Sequence, residues 1–179
     1  VYDKSIIVSE NKVQINNYTY FLYIIQTKYK KPPVPGERNF YMYNSAFYGG
    51  FDIVTLNNNK EVDRLNLNPF FKQDDIGFAG KFELGTVDYN KDGNPDFAIG
   101  EPAKDGTFKY VVFSIEENGK LRHLSVKDDY IYNASPDHKA EFVLNDAGNG
   151  IKVTIPKPEG GGYKEAEYIW EDSQFTLVQ

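Results

Sequence analysis

The sequence predicts an all-β protein made of about three four-stranded antiparallel blades, arranged as an open or partial β-propeller. A strand–turn–strand pattern recurs at a spacing of 59 residues. Tyr (14) and Phe (13) are abundant and occur with 15 Gly and 9 Pro, a composition typical of strands and turns. Helical periodicity is not sustained anywhere in the chain.

The internal repeat defines the blades. Residues 51–67 align without a gap with residues 110–126, and a third strand–turn–strand pattern occupies residues 168–178. This spacing predicts a unit of about four short strands per repeat, the pattern of an up-and-down β blade. The coinciding apolar pairs are Ile53/Val112, Val54/Phe113, Leu56/Ile115, Val62/Leu121, Leu65/Leu124 and Leu67/Val126.

Further strands are predicted before each hairpin. Two of them, residues 81–87 and 141–144, lead to an acidic residue, Asp88 and Asp146 respectively. Asn68-Pro69 and Ser135-Pro136 predict one-turn helices, because Pro is favoured at the first helical position. The remaining strand-and-loop pairs are 40–43 with Gly49-Gly50, 97–99 with 101–106, and 153–155 with 156–162.

The length of 179 residues predicts one β-rich domain over residues 1–179. Three blades are too few to close a ring, since propellers usually need four or more. An open propeller and a sandwich-like stack of the same blades therefore both remain possible. The Pro-rich stretch 28–36 is expected to be an exposed, extended loop.

Charge and composition exclude several classes of function. The net charge of −6 argues against a nucleic-acid backbone or an anionic membrane as the main partner, because both attract a basic face. The absence of Cys excludes disulfides and thiolate chemistry. No stretch approaches the roughly 18 apolar residues of a membrane span, and no signal peptide or lipid anchor is visible at Val1.

One loop, residues 88–96, has the pattern D-x-N-x-D-G-x-x-D between two predicted strands. Oxygen ligands at alternate positions can wrap around a cation, and Gly93 supplies the sharp turn. Ligation by oxygen alone selects Ca²⁺ over zinc or copper. The predicted metal ligands are Asp88, Asn90, Asp92, the backbone carbonyl of Asn94, and Asp96.

The loop differs from a helix–loop–helix calcium sensor. Position 12 is Ile99 instead of a bidentate Glu, and a strand follows instead of a helix. A solvated turn without a metal is the alternative interpretation. Residues 146–150 occupy the matching place in the next repeat but retain only the first carboxylate, Asp146, so a plain turn is expected there.

Residues 85–100 resemble one FG-GAP/VCBS-type repeat, in which a strand, this kind of loop and an apolar strand ending in Gly follow one another. The resemblance covers about 16 residues. It implies a calcium-binding propeller blade on a secreted or cell-surface bacterial protein. The single loop is also similar to small bacterial envelope proteins with partial propellers, some of which inhibit lysozyme-like hydrolases.

No catalytic constellation is recognisable. His123 and His138 are expected at the surface, without a nucleophile at a suitable spacing. The acidic pairs 74–75, 116–117 and 128–129 are expected in solvated loops, because adjacent strand side chains point to opposite faces. The sequence therefore predicts a protein that is not an enzyme.

Two binding functions remain. The first is an extracytoplasmic calcium-binding module that contacts another protein, such as a cell-wall hydrolase, through an exposed loop at 28–38 or 101–107. The second is a carbohydrate-binding or accessory domain of a surface protein, which a flat row of exposed tyrosines would favour. Tyrosines crowd the N-terminal third, where they either form such a face or pack between blades; they are residues 18, 20, 23, 29, 41, 43 and 48.

Overall fold

The computed structural model describes residues 2–37, 42, 44–103, 106–134, 138–157 and 160–178. It is 55% strand and 3% helical, which confirms the predicted all-β class. The strands, β1 to β14 in chain order, are Ile7–Ile15, Tyr18–Tyr29, Phe47–Asn57, Lys60–Asn66, Ile76–Phe78, Asp96–Pro102, Phe108–Ile115, Leu121–Val126, Ile131–Asn133, Lys139–Ala140, Val143–Leu144, Gly150–Pro156, Tyr163–Glu171 and Gln174–Val178.

The chain divides into two compact units, Val1–Leu84 with Ile115–Leu121, and Gly85–Ser114 with Arg122–Gln179. The sheet of the first unit has the order β1-β2-β3-β4, all antiparallel, and β5 also pairs with β3. The other sheet has the order β10-β6-β7-β8-β14-β13-β12-β11, with β9 on β7. Both are open, curled sheets, compatible with a propeller-like or a sandwich-like arrangement. The single domain predicted over 1–179 stays a prediction.

Four-stranded groups are visible within these sheets. The first is β1 to β4, and the second is β10-β6-β7-β8. The third, β11 to β14, is a continuous antiparallel meander. A parallel contact between β8 and β14, limited to two residue pairs, joins the second group to the third.

The three predicted hairpins are present as β3–β4, β7–β8 and β13–β14. Asn58 and Asn59 have φ of 49° and 62°, and Asp172 and Ser173 have φ of 50° and 63°. Positive φ at both central residues is the geometry of the two-residue turn that matches strand twist. The sequence repeat therefore corresponds to a repeated local structure.

Two aligned apolar pairs differ in burial. Leu65 is partly buried where Leu124 is completely buried, and Val62 is 36% exposed where Leu121 is buried. The pairing of β3 with β4 shifts register between Thr55 and Leu56, so that their partners are Asp63 and Glu61 and Val62 is skipped. A bulge leaves its extra residue outside the ladder, which explains the exposure of Val62.

The cores follow from strands that are apolar on both faces. In β3, Phe51 and Ile53 point to one face and Val54 to the other, and all three are completely buried. In the second unit one cluster gathers side chains from most of the strands, including Tyr110, Val112 and Phe175. No helix in the described ranges is long and apolar enough to cross a membrane.

Several predicted boundaries were wrong. Gly49-Gly50 lies inside β3 and is not a loop. Residues 81–87 form no strand, because their amides reach single partners instead: Phe82 N–H donates to the Val8 carbonyl and Leu84 N–H donates to the Asn11 side chain. The strand predicted at 141–144 is shortened to Val143–Leu144.

Other predictions at this level have mixed outcomes. A 3-10 helix does begin at Asn68, with Pro69 in its first turn, and ends at Phe71. The loop predicted at 101–106 begins later, because Glu101 and Pro102 belong to β6. The predicted strand 40–43 falls outside the described residues except for Met42, and Ser135-Pro136 lies outside them entirely.

Gly49 is expected to tolerate no side chain. Its φ is 135°, and a Cβ there would lie 2.0 Å from the Lys28 carbonyl oxygen on the neighbouring strand. Gly49→Ala should lower the free energy of unfolding by about 2–4 kcal/mol through backbone strain and overlap. Gly80→Ala is the control, because nothing lies within 4 Å of a Cβ there. Urea unfolding that shows equal stability for the two variants would contradict this account of β3.

Candidate metal site

The loop 88–96 is closed at its base by a bridge between Val87 and Asp96. The Val87 N–H donates to the Asp96 carbonyl at 2.9 Å, and the Asp96 N–H donates to the Val87 carbonyl at 3.0 Å. Within the loop, Lys91 and Gly93 have φ of 60° and 88°, which turns the chain back on itself. The ends are thus pinned together at the start of β6.

Backbone amides of the loop donate to its own side chains. The two oxygens of Asp88 accept from the N–H groups of Asp92 (3.1 Å) and Gly93 (2.9 Å). The Asn90 side-chain oxygen accepts a second bond from the Asp92 N–H at 3.1 Å. Asp92 Oδ1 accepts from both the backbone N–H (2.9 Å) and the side-chain amide (3.0 Å) of Asn94. These bonds bend the polar side chains back over the loop.

Asp92 Oδ2 has two further donors. The Asn90 amide donates to it at 2.9 Å, and the guanidinium of Arg122 on β8 forms an ion pair with it. Partial burial acts to raise the pKa of Asp92, but the donors from Asn94, Asn90 and Arg122 outweigh it, and the pKa is lowered. Asp92 is therefore held as a carboxylate.

Asp96 has a different environment, since it is completely buried as the first residue of β6. Its Oδ2 accepts the Tyr89 N–H at 2.8 Å, whereas Oδ1 has no hydrogen-bond partner. Burial, reinforced by the nearby charges of Asp92 and Asp88, raises the pKa of Asp96 to about 7, although the Ser114 hydroxyl and the Tyr89 N–H both act on the carboxylate in the opposite direction. A buried carboxylate oxygen without a partner is costly and calls for an explanation.

Tyr89 anchors the loop in the core of the second unit. Its side chain is completely buried, its ring lies 6.0 Å from that of Phe142, and its hydroxyl accepts the Phe142 N–H at 3.2 Å. Burial raises the pKa of Tyr89 to about 12. The loop therefore has an apolar attachment on one side and polar groups on the other.

The structure places all five predicted ligands in this one closed loop. Asp88, Asn90, Asp92 and Asn94 share a hydrogen-bond network, and Asp96 lies at its base. Across the described residues, no three acidic or histidine side chains converge in a ready-made metal geometry. Sequence reasoning missed Arg122 and Tyr89, because one comes from a distant strand and the other occupies a variable position of the motif.

Residues 146–149 form a turn at the matching place of the next repeat. The Asp146 side chain is almost fully exposed and pairs with Lys152 at 2.6 Å. Asn145 closes the turn by hydrogen-bonding to the backbone of Asn149 and Gly150. Asp146 therefore provides an internal comparison for the loop 88–96.

Both histidines are half-buried, whereas the sequence predicted exposed surface positions. The His123 ring lies 5.4 Å from that of Phe113, and burial lowers its pKa. The His138 ring packs 5.3 Å from that of Phe108, and its Nδ1 lies 3.0 Å from the Gly100 carbonyl oxygen. Neighbouring aromatic rings, which the sequence repeat does not reveal, cover both side chains.

The structure also contains a buried ion pair that the sequence analysis did not predict. Glu101 is completely buried in β6, and Lys109 Nζ on β7 lies 2.8 Å from its Oε1. The ammonium group of Lys109 also lies 4.8 Å from the centre of the Tyr130 ring. Burial raises the pKa of Glu101 to about 7 despite the attraction of Lys109.

Comparison with protein-family models, with curated proteins and with solved structures finds no match to this chain.

Glu101 should make stability depend on pH. Because its folded-state pKa lies above its ordinary value, the folded protein retains a proton that the unfolded chain releases, and stability falls as pH rises from about 4.5 to about 7. Glu101→Gln should reduce that fall by about 1–3 kcal/mol in urea unfolding across this window. The exposed Glu165→Gln is the control. Identical slopes for wild type and Glu101→Gln would refute the assignment.

Proposed function

We propose that the loop 88–96 binds one Ca²⁺ ion and that the protein is a non-enzymatic extracytoplasmic interaction module stabilised by this ion. One observation carries the metal proposal. Asp96 Oδ1 is buried without a hydrogen-bond partner, beside the charges of Asp88 and Asp92. A cation at the loop would both compensate that oxygen and relieve the repulsion among the three carboxylates.

The donor set fits a hard cation. It consists of carboxylate, side-chain amide and backbone carbonyl oxygens, with no sulfur or imidazole group in the loop. Asp88, Asn90, Asp92 and Asp96 would hold the ion through their side chains, and Asn94 through its carbonyl. Bound calcium would supply a fixed positive charge at the start of β6. Because the ion would also hold the loop together, the register of the strand there would not depend on the Val87–Asp96 bridge alone.

Calcium at such a site would be mainly structural. The loop is followed by a strand whose next residues, Phe97, Ala98 and Ile99, are buried. It therefore lacks the paired helices that open in calcium sensors. An affinity of about 10⁻⁴–10⁻³ M, typical of extracellular modules, suits a constitutive role outside the cell.

For the partner, exposed loops support protein binding. In the stretch 30–37 that follows β2, Lys31, Val34 and Glu37 are exposed. The other candidate loop, 101–107, is less accessible, because Glu101 and Thr107 are both buried. The net charge of −6 would attract a cationic protein, and lysozyme-like cell-wall hydrolases form the class suggested by the envelope resemblance.

The tyrosines of the N-terminal group that the structure describes do not favour the carbohydrate-binding alternative; Tyr41 and Tyr43 lie outside the described residues. Tyr20 and Tyr48 are buried, and Tyr23 is only partly exposed. Tyr18 and Tyr29 are exposed but lie at opposite ends of β2. Eleven residue steps along the strand separate them by about 36 Å, too far to form one row of stacked rings.

Calcium should raise the melting temperature of the wild type, and this rise should require the Asp96 carboxylate. At about 10 mM Ca²⁺, binding to the folded state alone should raise the free energy of unfolding by about 1.4–2.7 kcal/mol. This corresponds to a rise in melting temperature of about 3–10 °C. Asp96→Asn should remove this shift. In EDTA the Asp96→Asn variant should have a higher melting temperature than the wild type, because a neutral amide replaces a carboxylate whose burial is costly. Differential scanning calorimetry with and without EDTA measures both effects.

Asp146→Asn is the matched control, since it removes the first carboxylate of the equivalent turn and should leave the calcium shift intact. Asp92→Ala is a second loop variant, at a position that is not fully buried. If EDTA leaves the melting temperature of the wild type unchanged, and calorimetric titration detects no calcium binding, the metal proposal fails.

The interaction proposal predicts binding to a protein without turnover. Titration against lysozyme-like hydrolases should show inhibition, with association slowing as salt screens the acidic charge. A glycan array run in parallel should give no signal. Glycan binding alone would transfer the function to the second class, and hydrolysis of any substrate by this protein would overturn both.

A further inference from the structure

All four acceptor positions of the Asp92 carboxylate are in use. Oδ1 accepts two donors from Asn94, and Oδ2 accepts the Asn90 amide together with the Arg122 guanidinium. An ionised carboxylate offers about four lone-pair sites. A cation that coordinates Asp92 must therefore displace one of these donors.

Arg122 is the donor that a calcium ion would displace most easily. It carries a positive charge and would be repelled by a second cation at the same oxygen, whereas the amides of Asn90 and Asn94 are neutral. Its side chain is 40% exposed, so the guanidinium has access to water when it leaves Asp92. The Asn94 N–H, by contrast, belongs to the loop backbone.

We propose that Arg122 is a built-in competing cation that sets the calcium affinity of the loop and is released from Asp92 when calcium binds. This inference rests on the proposed calcium function. The residue belongs to β8, which follows the β7–β8 turn, so it reaches the loop from another part of the sheet. The affinity of the loop is thereby linked to the position of a strand outside it.

The effect should be moderate. Partly exposed ion pairs contribute up to about 1 kcal/mol, which corresponds to about a fivefold change in a binding constant. We therefore expect Arg122→Gln to bind Ca²⁺ about two- to fivefold more tightly than the wild type. Screening by salt should reduce the difference, because both partners contact solvent.

Lys91→Gln is the matched control. It removes the same single positive charge from within the loop itself, but the ammonium group of Lys91 reaches the Ala147 carbonyl at 3.3 Å and not a loop carboxylate. Isothermal titration of CaCl₂ into the wild type and both variants separates loss of the ion pair from a general change in net charge. Arg122→Lys, which retains the charge, should stay closer to the wild type than Arg122→Gln.

A second measurement follows the guanidinium directly. The chain has three arginines, so the Nε–Hε NMR signal of Arg122 is identified by its absence in Arg122→Gln. Calcium should shift this signal in the wild type and leave the signal of Arg64 in place. The Arg64 side chain pairs with Asp52 and Glu61, which all belong to the first unit, and it makes no ion pair with a loop carboxylate in the described residues.

The outcomes separate this inference from the proposed function. If no protein in the set binds calcium, the metal site itself is disproved. If the wild type binds calcium but Arg122→Gln and Lys91→Gln have the same affinity, or the Arg122 signal does not respond, calcium binding stands and the competing role of Arg122 is wrong.

Discussion

The position of Asp96 constrains the rest of the second unit. It is the first residue of β6, it forms the Val87 bridge that closes the loop, and its carboxylate holds the Tyr89 N–H. Opposite it in the ladder lies Ser114 of β7, so its backbone also sets the start of the β6–β7 register. A polar residue with one unpaired oxygen is an unfavourable choice for this position on stability grounds alone. The proposed cation would compensate the unpaired oxygen and so account for an acidic residue at this position.

The negative charges of the loop carboxylates are compensated partly by hydrogen-bond donors within the loop and partly by Arg122. Asp88 and Asp92 are satisfied by backbone amides, Asn side chains and the guanidinium, whereas Asp96 is only half satisfied. The loop is thus ordered at its tip and electrostatically incomplete at its base. This combination is the basis of the calcium proposal, because a cation would complete the arrangement at the base of the loop.

The loop is attached to a well-buried part of the second unit. Tyr89 packs in the core beside Phe142, and β6 continues as a run of buried residues to the Glu101–Lys109 pair. This packing supports the proposal of a structural ion over that of a conformational switch. Exposed segments such as 30–37 belong to the first unit, so metal binding and partner binding are proposed for different units.

Local pattern was sufficient for the all-β class, the three hairpins and the closed loop 88–96. These depend on short runs of apolar and aromatic residues, on Asn, Asp and Gly at turns, and on side chains that hydrogen-bond to backbone a few residues away. All of these features depend on interactions between residues that are close in sequence, so a single sequence is enough to predict them. The prediction that Asp146 lies in a plain turn rested on the same kind of information.

Tertiary structure decided everything that depends on distant neighbours. Gly49 can pair beside the Lys28 carbonyl in the sheet because it has no side chain, and the histidines pack against Phe113 and Phe108 of β7. Burial of Glu101, the unpaired oxygen of Asp96 and the approach of Arg122 to Asp92 arise in the same way. Desolvation and long-range ion pairing are properties of the packed sheet, and no spacing of residue types along the chain encodes them directly.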